Sequence, residues 1–202
     1  MYVQRIAATL HLVTASRMLG QVAELLWDDR TQAQSLTNLR ATLSRLNEQL
    51  APFLLVTRKT VASRPEVQVW VDAVELRTAL QANKPPFSNS VARRLERVLA
   101  LYKGDFLAGF YINESQGFEE WLRAEHEQLR VGVMEALSHL ATFHLGRASF
   151  DAGVTHAARL LELDPLREDA HRQMMLLLAS KGQRSALAVR PLPPDTCRRT
   201  WR

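Results

Sequence analysis

Five leucines, Leu36, Leu39, Leu43, Leu46 and Leu50, recur at steps of three, four, three and four. At 3.6 residues per turn this spacing places all five on one stripe, so the segment from Ser35 to Leu50 is expected to be an amphipathic helix with a core to face. Its outward face carries Asn38, Arg40, Thr42, Ser44 and Arg45. Arginine pairs bidentately with guanine and asparagine with adenine, and hydroxyls serve either bases or phosphates. A helix of this kind suits a DNA groove; the plain alternative is a solvated face.

The flanking segments extend that reading. Upstream, Val3, Ile6, Ala7 and Leu10 predict a helix over Tyr2 to Leu12, and Ser16 is the expected cap of a second helix running to Trp27, anchored by Leu25, Leu26 and Trp27. Downstream of Pro52 the texture turns β-rich: Phe53 to Thr57, then Thr60 and Val61, then Val67, Val69, Trp70 and Val71 after Pro65, around a basic turn at Arg58 and Lys59. Three helices followed by a basic β-ribbon outline a winged helix-turn-helix, with the third helix in the major groove. Arg58, Lys59 and Thr60 would then supply wing contacts to phosphates, which position a protein without specifying sequence. A charged hairpin tip is the alternative.

Charge follows the same division. Residues 1–65 hold eight Lys or Arg against four Asp or Glu, residues 66–188 hold fourteen against sixteen, and the last fourteen residues hold four against one. The net +5 is therefore uneven, and only the first segment combines positive charge with a folded pattern, as phosphate binding requires.

The rest of the chain reads as helical. Asp72 to Leu80 is expected as a helix capped by Asp72, 83–89 as a loop, and a further helix starts near Ser90 with Val91, Leu95, Val98, Leu99 and Tyr102 as its stripe. A glycine-punctuated turn covers Lys103 to Phe110. A long helix follows from Phe118 to Leu145, weakened at Gly132, with Glu119, Glu120, Glu125 and Glu127 on its wet face. At a spacing of 34 residues Ala136 answers Ala170, Leu140 answers Met174, Ala141 answers Met175, His144 answers Leu178 and Ala148 answers Gly182. That is the tetratricopeptide period, and Phe150, Gly153, Ala157, Leu160 and Pro165 occupy its packing and closing positions. A second repeat begins at Glu168 and is interrupted by Arg190-Pro191-Leu192-Pro193-Pro194, where successive prolines remove helix donors. The expected fold is mainly α: an incomplete winged helix-turn-helix with a small β wing in residues 1–70, a tetratricopeptide-like helical domain in 71–188, and a disordered Pro/Arg tail in 189–202.

Leu25-Leu26-Trp27-Asp28-Asp29-Arg30, Asn38-Leu39-Arg40 and Leu43-Ser44-Arg45-Leu46 resemble the end of the DNA-binding domain of SARP-type bacterial transcriptional activators. The run Leu101 to Phe110, with Phe118-Glu119-Glu120-Trp121-Leu122 and Leu163-Asp164-Pro165-Leu166-Arg167-Glu168, resembles the bacterial transcriptional activator domain that follows it. The resemblance covers roughly Ala23 to Leu187 and implies a transcriptional regulator whose helical domain makes dimer or transcription-machinery contacts. The implied partners are double-stranded DNA, provided the winged helix is intact, the transcription machinery or another protein, and a second copy of the chain. Family members begin with a small sheet before the first helix and continue helical where this chain has its tail, so a fragment shortened at both ends is expected. A helical interaction module without specific DNA binding, or an unstable truncated product, is the alternative.

Other classes find little support. No run is long and apolar enough to cross a bilayer, and no membrane partner is expected. The single cysteine, Cys197, fits a reducing, cytoplasmic setting. His139 and His144 diverge on a helix, so no metal is expected, and His144 and His171 are expected as structural packing residues. Without a phosphate-binding loop ending in Lys-Ser or Lys-Thr, or a Gly-x-Ser-x-Gly elbow, neither enzyme activity nor a cofactor is expected.

Overall fold

A computed structural model describes residues 17–67, 70–82, 85–109 and 115–182. The expected helix at Tyr2 to Leu12, the capping role of Ser16, and the tail with Cys197 lie outside these residues. The chain divides into two compact units, residues 1–133 and 134–202.

In the first unit a short strand β1 (Arg17–Met18) leads directly into helix α1 (Leu19–Leu26). This corrects the expected start: Met18, which offers no side-chain cap, precedes the helix. Helix α2 spans Gln32–Leu50, one turn longer than the leucine stripe alone indicated. The extra turn comes from a capping exchange, in which the Thr31 N–H donates to Gln34 Oε1 at 3.3 Å. Strands β2 (Leu54–Val56) and β3 (Thr60–Ser63) form a hairpin, and β3 lies between β2 and β1 in an antiparallel sheet. Leu55 pairs with Ala62, and Met18 with Thr60. The further β-run expected after Pro65 is not a strand at Val67, Trp70 or Val71, and Trp70 is 68% exposed. Val69 lies outside the described residues; with Pro65 in a turn, the rest of the run joins no ladder among the described strands.

Helices α3 (Asp72–Ala82) and α4 (Asn89–Leu99) follow, α4 capped by the Ser88 hydroxyl, which accepts the Val91 N–H at 3.3 Å. Helix α5 is continuous over Gln116–Gly146. Gly132 does not interrupt it; a Cβ there would meet Leu80 Cδ1 at 3.0 Å, so the glycine admits the close approach of α3. Glu125 departs from the expected wet face. It is nearly buried and ion-paired with Arg77, whose guanidinium burial holds below its usual pKa.

The second unit contains the end of α5 with α6 (Phe150–Leu163) and α7 (Glu168–Ser180). Ala141, Ala157 and Leu177 are fully buried there, with Leu145, Phe150, Val154 and Met174 packed around them. A Cβ on Gly153 would lie 2.5 Å from Leu177 Cδ2, so any side chain there would force the fully buried Leu177 to shift at this approach of α6 to α7. The 34-residue spacing has a backbone counterpart: Ala148 and Gly182, just past the ends of α5 and α7, both have positive φ, 57° and 81°. His171 is exposed, its ring contacting the Pro165 carbonyl at 2.8 Å, and is not the packing residue expected. The position that Ala141 holds fully buried on α5 is taken on α7 by Met175, which is 43% exposed.

Candidate nucleic-acid interface

Leu39, Leu43 and Leu46 are fully buried against Leu19, Val22, Ala23 and Leu26 of α1 and Leu54 and Val61 of the sheet. Each such side chain stabilises the arrangement by about 1.5–3 kcal/mol relative to exposure, so the rotation of α2 about its own axis is fixed. A small polar pin reinforces it: buried Ser35 brings its hydroxyl 2.8 Å from the Trp27 carbonyl, at the turn between α1 and α2.

The opposite face of α2 is open. Asn38, Arg40, Ser44 and Arg45 are exposed, while Thr42 is half-buried and donates back to the Asn38 carbonyl at 2.8 Å. At 100° per residue, Asn38, Thr42 and Arg45 line one flank and Arg40 and Ser44 the other, on either side of a ridge through Thr37 and Ala41. Neither Arg40 nor Arg45 has a hydrogen-bond or ion-pair partner among the described residues. By contrast Arg30 pairs with Asp29 at 2.9 Å, and Arg64, in the same basic stretch, is tethered by its Nε–H to the Ala51 carbonyl at 2.9 Å.

The hairpin tip presents Arg58 and Lys59, both exposed, with Thr60 half-buried at the start of β3. Thr57 organises the turn: its N–H donates to the Thr60 carbonyl at 2.8 Å, and its hydroxyl accepts the Thr60 N–H at 2.9 Å. The Lys59 carbonyl accepts the Leu19 N–H at 2.8 Å, which ties the tip to the first residue of α1. The sequence-selected residues thus form three groups, two flanks of α2 and one hairpin tip, all borne on one sheet-and-helix core.

Sequence reasoning missed a fourth set. Phe118 and Leu122, on the first two turns of α5, are buried in the same core as Leu39, Leu43 and Leu46, with Trp121 packed against it. Phe118 and Trp121 rings lie 5.5 Å apart. The Ser115 hydroxyl donates to the Leu25 carbonyl at 2.8 Å and accepts the Phe118 N–H at 3.3 Å. Asp28 Oδ2 accepts the Gly117 N–H at 2.6 Å. The available signal was the pattern Ser-x-x-Phe opening a long helix, which marks a cap but not what the cap touches.

Residues 68–189, more than half of the chain, match the family described as BTAD, bacterial transcriptional activator domain. No curated protein matches the chain.

Proposed function

The chain belongs to the bacterial transcriptional activator domain family, and from that premise we propose that it is a DNA-binding transcriptional regulator of the SARP type. Residues up to about 70 act as the winged helix-turn-helix, and the helical part that follows contacts the transcription machinery or a second copy of the chain. In this reading α2 enters the major groove with its Thr37–Ala41 ridge leading, so that Arg40 and Arg45 reach toward opposite walls. Asn38, Thr42 and Ser44 add polar contacts, and Arg58, Lys59 and Thr60 hold backbone phosphates. The setting is cytoplasmic, and the family is regulatory rather than enzymatic.

The observation that carries the reading is the pair of exposed arginines, without partners among the described residues, on a helix whose other face is locked by three fully buried leucines. A rigid helix presenting unneutralised guanidiniums is suited to base edges and phosphates. Selection from a random-sequence duplex pool tests it. The full chain should enrich a defined motif; Arg40→Ala should relax preference within it at a cost of about 1–3 kcal/mol, whereas Lys59→Ala should weaken binding evenly across sequences. Absence of enrichment would favour an interaction module instead. That second reading draws on the apolar exposure of Met175 and Leu176 on α7, 43% and 50% respectively.

A further inference from the structure

The start of α5 does more than begin a helix. A helix N-terminus leaves its first N–H groups without intrahelical partners, and these are usually met by a side chain close by in sequence. In α5 one cap is local and one is remote. Ser115 serves the Phe118 N–H, while the Gly117 N–H is met by Asp28, which lies 89 residues earlier in the turn between α1 and α2. The Ser115 hydroxyl also donates to the Leu25 carbonyl at the end of α1, a group that α1 itself leaves open. Gly117 makes room for this contact: a Cβ there would stand 3.3 Å from Asp28 Oδ2. On the other side of the same turn, the Trp27 carbonyl receives Ser35 of α2. The turn is therefore held from both ends, by α2 through Ser35 and by α5 through Asp28 and Ser115.

We infer that Asp28 and Ser115 are positioning residues for DNA recognition: by docking the first turn of α5 onto the α1–α2 turn, they set the pose of α2. Phe118 and Leu122 complete the core beneath, so the DNA-reading unit includes a piece of chain, near 115–122, that lies inside the activator-domain match. The inference deepens the DNA-binding reading and rests on it for its functional consequence, but the positioning itself is testable without DNA.

Hydrogen exchange on the free full-length chain is the test. In Asp28→Ala and in Ser115→Ala, amides at 31–36 and 116–120 should exchange roughly fivefold faster, the scale of losing one cap, with amides of α6 and α7 unchanged. Asp28→Asn and Ser115→Thr, which keep an acceptor and a hydroxyl, should return exchange close to the wild-type rate. Against a selected duplex, the alanine variants should lose roughly fivefold in affinity and keep their affinity for a random duplex, since the phosphate-binding side chains are untouched. Unchanged exchange at 31–36, or exchange rising equally throughout the chain, would overturn the positioning role. Should the wild-type chain enrich no DNA sequence, the DNA-binding reading fails while the exchange result still decides whether α5 holds the turn.

Discussion

In the first unit the core is assembled from Leu19, Val22 and Leu26 of α1, Leu39, Leu43 and Leu46 of α2, sheet residues Leu54 and Val61, and then Phe118 and Leu122 from a distant helix. In the second, Ala141, Ala157 and Leu177 come from three consecutive helices, with Gly153 closing the gap between two of them. One core fills space with large side chains brought together across long chain separations. The other also buries Leu137, Leu140 and Leu160 fully, but around Leu177 it uses the small residues Ala141, Gly153 and Ala157, so that neighbouring helices approach closely. The difference separates two kinds of cost: volume lost at Phe118 in the first core, and volume gained at Gly153 in the second.

The largest effect expected is from Phe118→Ala. Removing a fully buried phenylalanine from a well-packed core costs about 3–5 kcal/mol. Three of the four tryptophans, Trp27, Trp70 and Trp121, belong to the first unit, so with Trp201 replaced by Phe in both chains, tryptophan fluorescence during urea unfolding should show its transition at much lower denaturant; an unshifted midpoint would mean that α5 is not part of that core. Gly153→Val should destabilise the second unit by about 1–3 kcal/mol through overpacking against Leu177, read as faster hydrogen exchange in α6 and α7 with α1 and α2 unaffected. If both units responded equally, the separation of the two cores would be lost.

Much of this was legible in sequence because its signals are local. The leucine stripe gave α2 its buried face, the 34-residue spacing located α6 and α7, and the small residue at Gly153 marked a close approach. Other features depend on contacts that no local pattern encodes. The stripe began at Leu36, but the Thr31–Gln34 exchange adds a turn before it. Glu125 looked like one of four solvated acids until α3 placed Arg77 beside it. Phe118 read as the opening of a long helical stripe, and its burial among α1 and α2 depends on pairing across the chain. Similarly Val67, Trp70 and Val71 carry β propensity but join none of the described strands.

A smaller effect sharpens the repeat. Ala148 holds φ 57° where Gly182 sits in the equivalent position, and a non-glycine residue there is strained. Ala148→Gly should stabilise the second unit by up to about 1 kcal/mol, visible as slower exchange at the ends of α5 and α6, whereas a loss of stability would show that the left-handed turn imposes no strain. The smallest effect concerns pH. The hydrogen bond from Arg167, at 2.9 Å, holds the Asp169 carboxyl below its ordinary pKa of 3.8. A depressed carboxyl contributes stability that is present above the unfolded value and is lost as pH falls through the folded one. Below about pH 4 the start of α7 should therefore loosen slightly, and Asp169→Asn should remove that dependence, as followed by exchange or circular dichroism.

If the outer face of α2 enters the groove as proposed, the salt dependence of binding should depend on its arginines. For the full chain on a selected duplex, log Kd against log salt should be steep, and Arg40→Ala with Arg45→Ala together should flatten the slope by about 0.9 for each arginine that neutralises a phosphate, reaching roughly 1.8 if both do. A wild-type slope that the double substitution leaves unchanged, together with unchanged sequence preference, would contradict the assignment of α2 to the groove.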